Sequence, residues 1–348
     1  MRQARDRPLH AIVVGHGYAA RAFHLPALRR LQSDRLVADR IGIVEPIAAV
    51  GLGPPAGAML ARDLQELVGA FPVEHTVVHV CSPPNTHANV IRRCAGMGFR
   101  RIIVEKPLVT TQADLDDIRQ LATAEDMDLL VVANWLASRL TDTVVDCLLA
   151  GSHSRVEQIT LRSSKSRVGK SLSTSAHTTA FAIEMPHLMA LALHLSGMGM
   201  SVGYARSGDL EVDGRRVKMM GAAEMLLHSA HGYDVHLLTN LCSPRRERSV
   251  FVRWRDGTRL IGHYPCDSAD LYSQMSIIDA DGRVLDHRMF EDDTVQTFMA
   301  QAYAYFAGGG RMPCSDLTIH AKAIELLLEA RDSAAGGASL ARRMEAVQ

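Results

Sequence analysis

The sequence predicts an α/β protein: a doubly wound parallel sheet over residues 1–135, followed by an α+β region over residues 136–348. Three observations carry this. Short apolar runs alternate with helical patterns through the first half, a glycine-rich turn follows the first run, and β-rich runs separated by Asp-Gly turns occupy the second half. The expected strands of the first half are residues 9–14, 41–44, 76–81, 101–104 and 129–133. Helical patterns fall at 19–31, 63–69, 86–97, 113–124 and 140–149, with Asp63 and Thr111 placed as N-caps. After Gly151 the texture changes. Residues 156–162 read as a strand, and the Ser/Thr-rich basic segment 163–179 has neither period and reads as a loop. Runs at 249–254, 259–264 and 274–279, punctuated by Asp256-Gly257 and Asp281-Gly282, predict an antiparallel meander. Residues 294–306 and 315–334 close the chain as helices, with Gly308-Gly309-Gly310 ending the first and Ser315 capping the second.

Bulk properties narrow the partners. A chain of 348 residues accommodates about two domains of roughly 150 residues each. Lys plus Arg and Asp plus Glu both total 38, so no global charge favours nucleic acid or an anionic membrane. Cys81, Cys94, Cys147, Cys242, Cys266 and Cys314 are scattered and form no C-x-x-C pair, which argues against a metal cage or disulfide framework and fits a reducing cytoplasm. No stretch approaches the ~20 apolar residues that span a bilayer, and the charged start 1–7 leads only to a strand-length run. A soluble protein acting on a small molecule is expected.

The turn Gly15-His16-Gly17-Tyr18-Ala19-Ala20 lies between a buried strand and a helix. Glycine lets backbone approach a pyrophosphate closely, and the helix start offers unpaired N–H groups. Glu45, at the end of the next strand, stands where a carboxylate can bond ribose hydroxyls. Its charge repels a 2′-phosphate, so NAD is expected over NADP. Tyr18 is expected to cover the turn. A solvated strand end is the plain alternative for Glu45.

Two further segments belong with this turn. Cys81-Ser82-Pro83-Pro84-Asn85-Thr86-His87 is a strand end, a Pro-rich turn and a helix start, and Val104-Glu105-Lys106-Pro107 follows one helix later. Together with His24-Leu25-Pro26 and the late meander, the chain resembles the Gfo/Idh/MocA family, named for glucose-fructose oxidoreductase, inositol dehydrogenase and a rhizopine-catabolism protein. The resemblance implies a Rossmann domain and a second domain on a large, mostly antiparallel open sheet. It implies cofactor contacts from Gly15, Gly17, Tyr18, Ala20, Glu45, Ser82, Pro83, Asn85, His87, Glu105 and Lys106, and a homodimer or homotetramer. The last helices are expected to be able to pack back on the first domain.

Hydride exchange at a carbon bearing oxygen requires a proton to move at that oxygen, so a titratable group must lie within about 3 Å of it. Lys106, beyond a strand at the carboxyl edge of the sheet, is the first candidate, and Pro107 is a candidate for a cis bond. The second is His187. Pro186 places it near a helix N-terminus, where the dipole disfavours imidazolium and leaves a neutral ring able to accept a proton. Glu184 is either its orienting carboxylate or an ordinary first-turn acid. By resemblance, His187 matches a family site histidine and Asn134 a position near the substrate, although Asn134 also suits a strand-end cap. Lys165, Arg167 and Lys170 could hold an anionic group of the substrate or simply lie in a solvated loop. His228, His231 and His236 have no partner set at metal spacing, and no metal is expected.

The chain also departs from its relatives. Sugar and inositol dehydrogenases of the family often carry aspartates where Ile183 and Ala190 stand, so their substrate contacts do not transfer whole. The expected activity is an NAD(H)-dependent interconversion of alcohol and ketone on a sugar, amino sugar or cyclitol. The alternatives are reduction of a C=N bond or conjugated system on the same fold, or a non-catalytic NAD-binding regulator.

Overall fold

The computed structural model describes residues 7–46, 57–151, 153–173, 179–267 and 269–345. Ile47 and Ala48 after Pro46, residues 1–6, and residues 174–178 of the Ser/Thr-rich segment lie outside them. Among the described residues the strands form two sheets, one in each of two compact units.

The first unit comprises Met1–Asn134 and Val295–Ala321. Its six strands are β1 (Leu9–Val14), β2 (Val37–Val44), β3 (Ala58–Ala61), β4 (Thr76–Val80), β5 (Arg101–Val104) and β6 (Asp128–Val131). They run in the order β3-β2-β1-β4-β5-β6, every pair parallel. The winding reverses between β1 and β4, and in such sheets the crevice at the carboxyl ends of the reversing strands receives the ligand. β4 is buried along its whole length, as the centre of a parallel sheet requires. The helices α1 (Leu25–Ser33), α2 (His87–Gly96) and α3 (Gln112–Ala124) connect these strands. Thr111 caps α3 by accepting the Asp114 N–H. Asp63 caps only a short 3₁₀ turn, Leu64–Leu67, where a longer helix was expected. The edge strand β3, four residues with two exposed side chains, carries too little alternation to be read from sequence.

The second unit comprises Trp135–Thr294 and Lys322–Gln348. Helix α4 (Arg139–Leu149) leads to β7 (Val156–Ser166), the short helix α5 (Val168–Ser173) and α6 (Met185–Ser196). There follow β8 (Met200–Val212), β9 (Arg215–Ser229), β10 (Asp234–Asn240), β11 (Cys242–Trp254), β12 (Arg259–His263), β13 (Tyr272–Ile278) and β14 (Val284–Glu291). The sheet order is β14-β13-β12-β11-β7-β10-β9-β8, and only the β7–β10 pair is parallel. The segment expected to be a loop from residue 163 is therefore strand to Ser166 and helix from Val168. Ladder bonds to β10 and β11 on both sides hold its polar side chains in the sheet. The Asp256-Gly257 and Asp281-Gly282 turns form as expected, with Gly257 and Gly282 at φ +85° and +88°.

After β14 the chain continues through α7 (Thr294–Phe306) and α8 (Leu317–Glu345). Of this stretch, Val295–Ala321 falls in the first unit and Lys322–Gln348 in the second. Ser315 does not cap α8. Its hydroxyl donates to the Val131 carbonyl, and Asp316 takes the Ile319 N–H instead. No helix among the described residues is long and apolar enough to cross a membrane.

One buried carboxylate organises the second unit. Asp292 is 2% exposed; its Oδ2 accepts from Ser138 Oγ at 2.5 Å and Ser273 Oγ at 2.6 Å, and its Oδ1 accepts the Arg139 N–H at 3.0 Å. These bonds fix the start of α4 against β13. Asp292→Ala leaves three donors without their acceptor and is expected to cost about 2–4 kcal/mol in unfolding by denaturant. Asp292→Asn, which retains one acceptor oxygen, should cost less.

Candidate functional site

The glycine turn is shaped by both neighbours. Gly15 has φ +94°, and an added Cβ would lie 2.8 Å from Ser82 N and 2.9 Å from the Cys81 carbonyl, so this glycine lets β1 end directly against the end of β4. Gly17 differs. It is exposed, and a Cβ there would meet nothing within 4 Å, which leaves open space beside the backbone where a pyrophosphate fits. The Glu45 carboxylate accepts the His16 N–H at 2.9 Å and so ties the end of β2 to the turn. Tyr18 is 64% exposed and meets Phe23 edge-on at 5.6 Å, while Ala20 is buried.

The helix after the turn begins as a π-helical turn, Ala20–His24, before α1 takes over with Pro26 in its first turn. Pro26 has no N–H to give, so the wider register costs no bond at that point. His24 is fully buried on this turn. Its Nε2 lies 3.0 Å from Glu105 Oε1 and its Nδ1 lies 2.9 Å from His79 Nδ1. His79 Nε2 in turn lies 2.8 Å from the hydroxyl of Tyr303.

The Ser82 turn and the Glu105-Lys106-Pro107 segment are joined through His87. That ring is buried; its Nδ1 faces the carbonyls of Pro107 (3.0 Å) and Leu108 (3.2 Å), and its Nε2 faces the Ser82 carbonyl at 2.9 Å. His87 thus holds the two segments together through main-chain carbonyls. Burial draws its pKa down, and the three carbonyls and the Glu105 charge oppose that. Burial, assisted by Glu105, also holds the Cys81 thiol well above its ordinary value. Thr86 Oγ1 donates to Ser82 Oγ at 2.7 Å, Pro83 and Asn85 are exposed, and the Lys106–Pro107 peptide is cis. Lys106 is half-buried at the carboxyl end of β5.

In the second unit, α6 begins at Met185 with Pro186 in its first turn and Glu184 just before it. The Glu184 side chain is buried and accepts from Ser163 Oγ at 2.6 Å and from Lys165 Nζ. Glu184, expected either to orient His187 or to be an ordinary first-turn acid, accepts from these two residues of β7, and Lys165, expected in a loop, is a strand residue paired with it. His187 is half-buried and its ring stacks on Trp135 at 5.7 Å and 15°. Trp135 stacks in turn on Tyr264 at 5.0 Å, with the Arg248 guanidinium 5.9 Å from its ring. Asn134 opens the 3₁₀ turn that carries Trp135 and is half-buried. Lys170 is exposed on α5. His228 bonds Asp234 at 2.8 Å, and His231 stacks on Tyr233.

A family model described as an oxidoreductase family with an NAD-binding Rossmann fold matches residues 9–133. Over these residues the chain matches the Gfo/Idh/MocA oxidoreductases. An uncharacterised oxidoreductase of Schizosaccharomyces pombe is 27% identical over 139 residues, which cover 38% of this chain and 36% of that relative's length. Solved structures share the architecture. The 3-ketoreductase KijD10 of Actinomadura kijaniata, crystallised with NADP and TDP-benzene, is 17% identical, with a TM-score of 0.75 and coverage of 94% of this chain and 98% of that one. The UDP-N-acetylglucosamine 3-dehydrogenase GnnA of Acidithiobacillus ferrooxidans is 13% identical, with a TM-score of 0.72 over 94% of this chain and 97% of that one. A dehydrogenase of Chromobacterium violaceum is 12% identical, with a TM-score of 0.75 over 98% and 99%.

Ile183 and Ala190, where the resemblance led aspartates to be expected, are both buried. Sequence reasoning missed His79, Tyr303, Trp135 and Tyr264. His79 sits in an apolar run, and nothing in the order of residues announces a partner 224 positions away.

Proposed function

We propose that this chain is an NAD(H)-dependent oxidoreductase that interconverts an alcohol and a ketone on a polyhydroxylated molecule such as a sugar, amino sugar or cyclitol. The observation that carries the reading is Lys106 at the carboxyl end of β5, on the same edge of the parallel sheet as the turn whose Gly17 leaves room for a dinucleotide. The relatives named as a 3-ketoreductase and a UDP-sugar 3-dehydrogenase support a sugar-like substrate. When bound, the nicotinamide cofactor supplies or accepts the hydride. Lys106 takes the hydroxyl proton in the oxidative direction and returns it in the reductive one. Gly17 and the backbone N–H groups of its turn hold the pyrophosphate, Glu45 bonds the ribose, and Ser82, Pro83 and Asn85 border the cofactor. In the second unit His187 lies flat on Trp135, and Lys165 pairs with Glu184. The test is turnover of NAD or NADH against a panel of polyols and ketoses. Tight NADH binding with no turnover of any member would favour a regulator.

A second reading rests on Ile183 and Ala190. Their apolar burial takes away two carboxylates that would bind hydroxyls, which favours reduction of a less hydroxylated C=N or conjugated compound.

The cofactor preference is also a proposal. Glu45→Gln keeps an acceptor for the His16 N–H and removes the charge, so the NADP to NAD ratio of kcat/KM should rise at least about tenfold while the fold is kept. Glu45→Ala should raise the same ratio and weaken both cofactors. An unchanged ratio in both variants would remove Glu45 from cofactor choice. The homodimer or homotetramer remains to be tested by light scattering.

A further inference from the structure

The first unit contains a buried polar file that the chemistry above does not use: Tyr303, His79, His24 and Glu105, joined by contacts of 2.8, 2.9 and 3.0 Å. Tyr303, His79 and His24 are each fully buried in an otherwise apolar core, so each polar hydrogen needs an acceptor. We propose that this file is a one-way hydrogen-bond chain, running from Tyr303 to an ionised Glu105, and that it fixes the carboxylate which positions the adjoining Lys106.

The direction follows from the end groups. Burial holds the Tyr303 phenol far above its ordinary pKa, so its O–H persists and donates to His79 Nε2. His79, whose pKa burial and His24 push well down, is neutral and carries its one proton on Nδ1. That proton can go only to His24 Nδ1 across 2.9 Å, which makes Nδ1 of His24 the acceptor and Nε2 its donor. His24 Nε2–H then points at Glu105 Oε1. Every group is satisfied once, with no proton left over. The reverse polarity would leave the Tyr303 O–H without this acceptor.

The consequence falls on Lys106. Glu105 occupies the first position beyond β5, and its N–H is bonded to the Val80 carbonyl at 2.9 Å. With its backbone held by β4 and its carboxylate by His24, the residue before Lys106 has little freedom left. His24, His79 and Tyr303 are positioning residues, because none of them needs to touch substrate. This second clause rests on the proton-transfer role of Lys106; the polarity of the chain does not.

The two clauses have separate tests. Nitrogen-15 NMR of the histidine rings, assigned with His24→Gln and His79→Gln, should show His79 protonated on Nδ1 and His24 on Nε2 at neutral pH. In Glu105→Gln the carboxamide oxygen can still accept from His24 Nε2–H and Tyr303 still donates to His79, so the pattern should be kept. An imidazolium at either ring, the opposite tautomers in the parent protein, or a reversed pattern in Glu105→Gln would overturn the polarity. Tyr303→Phe should lower kcat about tenfold with cofactor KM unchanged, and should have no further effect in a Lys106→Ala background. Unchanged kcat, or an equal loss in both backgrounds, would overturn the positioning role. Full activity of Lys106→Ala alone would remove the lysine from the chemistry and leave the NMR result standing.

Discussion

Lys106→Ala should reduce turnover by about 10²–10⁴, the usual range for a lost general acid or base, while NADH affinity stays within several-fold. The asymmetry follows from where the lysine sits. In the proposed reading the pyrophosphate lies at the Gly15–Gly17 turn at the end of β1, and Lys106 belongs to the end of β5, two strands away in the sheet order. Removing an amine there takes away a proton carrier without reshaping the turn. Stopped-flow hydride transfer beside NADH fluorescence titration separates the two effects. Preserved turnover would exclude Lys106 from the mechanism, and a parallel loss of NADH binding would assign it to cofactor binding instead. Lys106→Arg, which retains charge but hardly releases a proton, should resemble the alanine variant.

The second large effect is expected at Gly15. Gly15→Ala meets two penalties together: φ +94° is unfavourable for any residue with a Cβ, and the new methyl would sit 2.8–2.9 Å from main-chain atoms of Cys81 and Ser82. Main chain at the centre of a parallel sheet cannot step aside as a side-chain tip can. We expect a loss of about 2–4 kcal/mol in stability, together with impaired NADH binding, because β1 and the Ser82 turn are forced apart. Gly17→Ala, with nothing within 4 Å of its Cβ, should retain full stability and lose affinity for the cofactor alone. Equal stability losses in the two variants would contradict this division of labour between the glycines.

The first sheet was legible because its evidence is local. Glycine turn, Pro-rich turn and Glu-Lys-Pro each announce a strand end, and parallel strands buried on both faces are continuous apolar runs. The second sheet was legible in β7 and around the Asp256-Gly257 and Asp281-Gly282 turns, whereas the Asp213-Gly214 turn between β8 and β9 was passed over. Strand β8 mixes half-buried with exposed positions and carries few β-branched residues, so its pattern is faint. Ser163 and Ser164 look like loop because they are polar, yet ladder partners on both sides make them strand, and Lys165 continues β7 beyond them. In the site the sequence showed members without their pairings. Lys165 and Glu184 were both visible, but that one balances the other is a property of β7 and α6 packed together. His24 was visible as part of a motif, and the histidine and tyrosine behind it were not.

The discontinuity of the first unit bears on how the protein is made. A ribosome that has released residues 1–134 has delivered all six strands of the parallel sheet, but not Tyr303 or Ser315, whose hydroxyls reach His79 and the Val131 carbonyl. Until those residues emerge, the nascent chain holds an inward-facing imidazole and a strand end with bonds still to make. Completion of the nucleotide-binding half therefore waits for synthesis of most of the other half. The N-terminal segment on its own is an unfinished folding unit, and a shortened chain meant to bind cofactor has to extend at least to Ala321.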